Sequence, residues 1–352
     1  MSQIERGWLG RLVPACLVIL SAVSLYEMRV RTHLCGFSDQ FEAVVNSMRH
    51  PERPDLSIRD RYTGIAFIDY GLRFLVAAFL PGAAGFKPEF QILQAYFLVS
   101  FTSLWAALYQ TVGGAIIIPL YYLCFMHRSS TLEYYSPSAR QMNPNYARAL
   151  VPALVCGYLL PTIIIYIPFT DADLYIRQGL IALWQLSPFI VNFLLVLFSE
   201  LQGATILPSA TKEMRPEEQN SRHVKMLYRV CLVVSVLSHF ALLCYCMILS
   251  DRFEEILVRT FLPQLVMLNG STGDILHHIF QVDFLVIFVS SLLWATSAVD
   301  DLRRARRAEV SLARLMVAVA LGTVVIGPAA TIIAIWWARE NKIMTDEEAK
   351  TS

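Results

Sequence analysis

The sequence predicts an all-α fold: a polytopic transmembrane helical bundle of about eight or nine spanning helices, with no soluble catalytic domain. Three observations predict it. Of 352 residues, 56% are hydrophobic and only 16% charged, against roughly 25% charged in a typical soluble domain. The mean hydropathy is +0.50. The charges gather in short blocks between apolar runs of bilayer length, the partition that a chain divided between lipid and water requires.

A membrane helix needs about twenty mostly apolar residues. Such runs fall at residues 9–26, 62–80, 92–109, 112–126, 149–169, 179–199, 227–249, 279–299 and 312–337. The first follows Arg6 and Arg11. It is long and ends in Tyr26-Glu27-Met28, which is no small-residue cleavage site, so it reads as an uncleaved signal anchor. The fourth is short and follows Gly113-Gly114, so a tilted or re-entrant segment is expected there. Residues 256–268 are apolar but short and contain Arg259, as an interfacial helix would. The polar stretches 28–61, 127–148 and 200–226 are too short and too charged for a separate core. Residues 1–352 are therefore expected to form a single integral membrane domain, without repeats. The dense basic block Arg303, Arg304, Arg306, Arg307 shares a side with the N-terminus if all nine runs span, which favours a cytoplasmic N-terminus.

Composition excludes several functions. A formal net charge of +1 offers no basic field for nucleic acid. Six of the seven cysteines lie in apolar runs, with no CxxC pair and no zinc spacing, so neither a disulfide framework nor a metal site is expected. There is no P-loop, GxGxxG, GxSxG elbow or HEXXH motif. The aspartate-rich motifs of diphosphate-ionising prenyltransferases are missing as well. Asp300-Asp301 stands beside arginines with no second acidic partner. No cofactor is expected.

Ionisable groups inside apolar runs are costly and usually face a cavity or a partner. Asp69 lies in the second run with Arg73 four residues on, which suggests either a helix-face ion pair or a general acid in an apolar pocket. Asp283, between Phe280 and Phe284, reads either as a helix-start aspartate or as a cavity acid. Gln185, Asn192 and Ser199 recur at seven-residue spacing before Glu200. Such a stripe faces protein or water, either knitting helices together or binding a substrate head group. His239 is a mid-membrane histidine for packing or binding. Asp171 and Asp173 form a loop D-x-D pair, a weak metal signal. Phe97, Phe101, Trp105 and Tyr109 form one helical face, as do Phe280, Phe284 and Phe288. These faces either pack against neighbours or wall a cavity whose rings stabilise cations. A cavity lined by the second, third and eighth runs would gather these groups.

Thr63-Gly64-Ile65 before Asp69, Ile118-Pro119-Leu120-Tyr121, and Phe280-Gln281-Val282-Asp283-Phe284 followed by Leu292-Leu293-Trp294-Ala295 make the chain resemble fungal integral-membrane terpene cyclases of terpenoid and meroterpenoid biosynthesis. The resemblance implies metal-independent cyclisation of a lipophilic prenylated substrate, begun by protonating an epoxide or terminal alkene. Asp69 and Asp283 fall inside the similar stretches. Those two are the expected acids, and Arg73, Phe101, Trp105, Phe284, Asn192, Glu200 and His239 the expected substrate contacts. The endoplasmic reticulum membrane is the expected location. A transporter of a lipophilic metabolite and a non-catalytic scaffold remain as alternatives.

Overall fold

The computed structural model describes residues 4–100, 112–136, 142–167, 174–205, 216–249, 252–263, 270–306 and 311–351. The chain is all-α apart from one small hairpin. Helix α1 (Trp8–Leu34) contains a π-helical turn at Tyr26–Val30. Next come α2 (Phe37–Ser47) and the antiparallel pair β1 (Arg49–His50) and β2 (Arg53–Ser57). Then follow α3 (Ala66–Ala83), α4 (Pro88–Ser100), α5 (Gly114–Arg128) and α6 (Pro144–Tyr166). The second half holds α7 (Leu174–Trp184), α8 (Ser187–Thr205), α9 (Pro216–Leu249), α10 (Phe253–Phe261), α11 (Thr272–Arg306), α12 (Leu312–Val325) and α13 (Pro328–Thr351).

Helix α11 is the axis of the bundle. It packs against α1, α5, α13 and α4, and 72% of its most apolar stretch is buried, against 22–44% for the other long helices. Its interior suits that place. Ser290, Ser291 and Thr296 bond back to carbonyls of their own helix and so carry no unmet hydroxyl into the core. The exterior is apolar: Phe67 is 88% exposed and Ile248 80%. Gln94, Asp300 and Arg339 are buried meanwhile, the reverse of a soluble protein's distribution.

Among the described residues, five helices are long and apolar enough to cross a membrane: α1, α3, α6, α9 and the body of α11. A sixth span arises if α7 and α8 count together. The described residues thus show five or six of the eight or nine spans expected from sequence. The sixth run bends by 65° between Trp184 and Ser187, where Pro188 follows and disfavours helical continuation. The ninth run splits at Gly327-Pro328: Gly327 takes φ +89° and Pro328 opens α13. That leaves α12 with 14 residues, about 21 Å of rise, short of a hydrocarbon core of about 30 Å. The fourth run forms α5, also short, as expected. Residues 101–109 of the third lie outside the described residues. The apolar residues after 256 form α10, followed at once by a break at Leu262.

Candidate functional site at the start of helix α11

The first three turns of α11 carry Asp274, His277, His278, Gln281 and Asp283, each reaching a different neighbour. Asp274 pairs with Lys87, at the foot of α4, and accepts from the Ser271 hydroxyl at 2.9 Å. Lys87 also lies 3.8 Å from Glu52 in the hairpin turn, and the Ser271 hydroxyl bonds to Glu52. His277 stacks on Phe90 at 5.3 Å. His278 Nε2 donates to Glu27 at 3.2 Å, and Arg31 donates to the same carboxylate at 2.6 Å. A small cavity is lined by Glu27, Arg31, Thr32, Cys35, Ile275 and His278. Gln281 donates to the carbonyls of Arg259 and Thr260 at the end of α10. Nearby, His50 is buried against Phe86. Burial holds its pKa below the usual histidine value, and the Glu52 charge opposes that only in part.

Asp283 faces the start of α5 and accepts from the Ala115 amide at 2.6 Å. Two glycines make this approach possible. Gly113 takes φ +113°, and a Cβ on Gly114 would lie 2.4 Å from Ile287 Cδ1 and 3.3 Å from the Asp283 carboxylate. Arg29 completes the junction by donating to the Val112 carbonyl at 2.7 Å. An apolar run, an uncapped helix start and a carboxylate thus meet inside the bundle. Two effects oppose each other at that point: the helix-start amides and dipole favour the carboxylate, and the apolar surroundings favour the neutral acid.

The aromatic ladder of α11 turns inward. Phe280 meets Phe79 and Phe90, both at 5.2 Å. Phe284 meets Tyr96, Phe261 and Phe288 at 4.7–5.8 Å. His239 joins this wall: its Nε2 donates to the Val324 carbonyl at 3.1 Å, so its Nδ1 accepts from Tyr96 at 3.2 Å.

Asp69 has a different setting. One of its oxygens accepts from the Tyr62 and Thr63 amides and the Thr63 hydroxyl, at 2.7–3.1 Å, and the other accepts from the Gly64 amide at 3.0 Å. It clasps the loop that leads into α3. Of the two readings of Asp69, the ion pair with Arg73 is not formed: Arg73 reaches Asp60 instead, at 3.7 Å, because loop donors already occupy both Asp69 oxygens. The seven-residue stripe does not share one environment either. Gln185 and Ser199 are buried, whereas Asn192 and Glu200 are exposed, since the break at residues 185–186 turns α8 away from α7. Asn192 donates to its own helix at Pro188. The Phe101 and Trp105 face and the Asp171–Asp173 pair lie outside the described residues. The two cavities described adjoin α1, so neither joins the second, third and eighth runs as expected.

The CtvD domain family model matches residues 13–108 and 93–344, nearly the whole chain. The chain belongs to the CtvD domain family. Curated relatives of this CtvD-family chain include the FAD-dependent monooxygenase verC1 of Penicillium polonicum, 26% identical over 66% of this chain and 27% of that protein. The chain thus spans about a quarter of the length of verC1. Terpene cyclase ascI of Acremonium egyptiacum is 24% identical over 78% of this chain and 70% of its own. Terpene cyclase verU1 of Penicillium polonicum is 22% identical over 79% of this chain and 81% of its own. No solved structure matches it.

Glu27, Glu52, Lys87, Asp274, His277 and His278 were not legible as site residues in this CtvD-family sequence. One signal was available. Asp274, His277 and His278 stand at i, i+3 and i+4, the spacing of one helical face, directly before an apolar run.

Proposed function

We propose that this chain is a membrane-embedded terpene cyclase that converts a lipophilic prenylated substrate into a cyclic isomer. Asp283 is the proton donor in this reading. It protonates an epoxide oxygen or a terminal alkene, and the cation formed as the C–O bond or π-bond opens is captured by an internal alkene. A later proton loss returns the balance, so the product has the substrate's mass. The observation that carries the reading is the placement of Asp283, an isolated aspartate within an apolar helix, one residue from the Phe280–Phe284–Phe288 wall. Aromatic faces stabilise cations without reacting with them, and a dry, preorganised site keeps water from quenching them. The relatives named terpene cyclases support the same reaction class. Asp69 serves by holding the Tyr62–Gly64 loop. Arg73, Phe101, Trp105, Phe284, Asn192, Glu200 and His239 remain proposed substrate contacts, and the endoplasmic reticulum membrane the proposed location.

The test is direct. Microsomes holding the protein are incubated with epoxide-bearing and plain prenylated aromatic substrates, and products are resolved by chromatography and mass. A cyclic product of unchanged mass supports the proposal. If neither substrate is converted, the cyclase reading fails. Transport of unaltered substrate across sealed vesicles would then favour the transporter reading, for which the broken α7–α8 pair is the supporting feature.

A further inference from the structure

At the opposite end of α11 an open cavity of about 870 Å³ is lined by Glu5, Arg6, Gly7, Trp8, Arg11, Leu12, Ala15 and Arg304. That volume is within the roughly 300–1,000 Å³ of small-molecule sites. It surrounds the start of α1. That helix begins at Trp8 with no side-chain cap on Gly7 and no acidic residue in its first turn, and a helix start without an acidic group favours an anion.

The cations here are arranged from the inside out. Asp300 and Asp301 are both 2% exposed and lie beneath them. Arg304 Nε bonds to Asp300 at 3.1 Å, Arg303 pairs with the same carboxylate at 2.7 Å, and Arg6 Nε reaches Asp301 at 3.3 Å. Arg6 also donates to the Met126 carbonyl. The buried acids orient the guanidinium groups and leave the Arg304 fork over Gly7, where a Cβ would sit 1.9 Å from its Nη2. Arg11, one turn along α1, is exposed and has no ion pair among the described residues. Glu5 is the one lining carboxylate, and it too is exposed.

Apolar surface leads away from the cavity along one face of α1. Trp8, Leu12, Ala15 and Ile19 follow at spacings of three and four residues. Trp8 is 57% exposed and Ile19 61%. A tryptophan at a membrane interface, arginines above it and an apolar stripe below it match an amphiphile with an anionic head and an acyl tail.

We infer that this cavity binds the headgroup of an anionic phospholipid, with the phosphate at the start of α1 between Arg11 and Arg304 and an acyl chain along the Trp8–Ile19 stripe. The inference rests on insertion of the chain in a bilayer and is independent of the cyclase chemistry. Failure of either leaves the other standing.

Purified full-length protein in detergent micelles is mixed with equal amounts of phosphatidylserine and phosphatidylcholine carrying the same acyl chains. Bound lipid is then read by native mass spectrometry, with inorganic phosphate as a third arm. One phosphatidylserine should be retained per chain in preference to phosphatidylcholine. Arg11→Gln should weaken that preference about fivefold, and Arg304→Gln by at least as much. Because Arg304 also braces Asp300, a poorly folded Arg304→Gln leaves the decision to Arg11→Gln and Trp8→Ala, both at exposed side chains. Equal retention of the two lipids overturns the inference, as does undiminished preference in Arg11→Gln together with Trp8→Ala. Displacement of phosphatidylserine by millimolar inorganic phosphate would also overturn it, in favour of a soluble anion.

Discussion

Two aspartates in apolar runs look alike in sequence, yet their first neighbours give them different chemistry. The oxygens of Asp69 face three backbone amides and a hydroxyl. Amides only donate, so this carboxylate is held as an acceptor. Asp283 accepts from the Ala115 amide at a helix start within the bundle, away from the loop clasp and the Thr63 hydroxyl that hold Asp69. Asp283→Asn should therefore lower turnover by about a hundredfold or more, the usual loss on removing a general acid, with insertion and helix content unchanged. Near-normal isomer formation in that variant would remove Asp283 from the chemistry. His50 gives a second prediction. Burial lowers its pKa in the folded chain, so below about pH 6.5, the ordinary histidine value, the unfolded state binds the proton first. The stability contributed by neutral His50 is full above that value and falls as pH drops toward the folded pKa. Thermal unfolding in detergent at pH 7.5 and about pH 5.5 should show a smaller acid loss for His50→Gln than for the parent chain. An equal loss in both would show that other groups set the acid limit.

At the scale of elements, the site depends on how closely α5 approaches α11. Gly114→Ala forces a Cβ toward Ile287 Cδ1, and such overpacking costs about 1–3 kcal/mol. Ile287→Val removes the opposing methyl, so the double variant should recover much of the loss. A non-additive cycle is the expected readout, and additive costs would place the strain elsewhere. The loop before α3 depends on Asp69 in the same way. Asp69→Asn sets an amide group against loop N–H donors and should destabilise by about 1–3 kcal/mol. Its activity should follow the loss of folded protein. A collapse of turnover in fully folded Asp69→Asn would instead give Asp69 the acid's role.

At the scale of the whole molecule, the proposed reaction is an isomerisation started by a proton. Among the described residues, no group of three or more His, Cys, Asp or Glu side chains is placed to hold a metal ion. Diphosphate ionisation relies on magnesium held by clustered carboxylates. On the proposed proton-started mechanism, turnover should survive EDTA. Complete loss in chelator, restored by magnesium, would overturn the mechanism and direct attention to Asp171 and Asp173. The bundle is consistent with a substrate arriving from lipid. Large apolar side chains such as Phe67 and Ile248 lie on its exterior.

The sequence by itself determined the helical class and the apolar character of the long helices. Both follow from local quantities: run length, charge spacing and the 3.6-residue period. It also marked the short run after Gly113-Gly114, and it singled out Asp69, Asp283 and the Phe280–Phe288 ladder. Only the tertiary structure decided which of these groups share a site. Asp283 meets an amide 168 positions away, and His278 meets Glu27 across 251 positions. Periodicity places a side chain on a face of its own helix, but it carries no information about the helix opposite. Glu27, Lys87 and Glu52 therefore read as ordinary loop and helix-end charges until packing set them against α11. The Asp69 clasp went unread for the related reason that its partners are main-chain amides, which every sequence has.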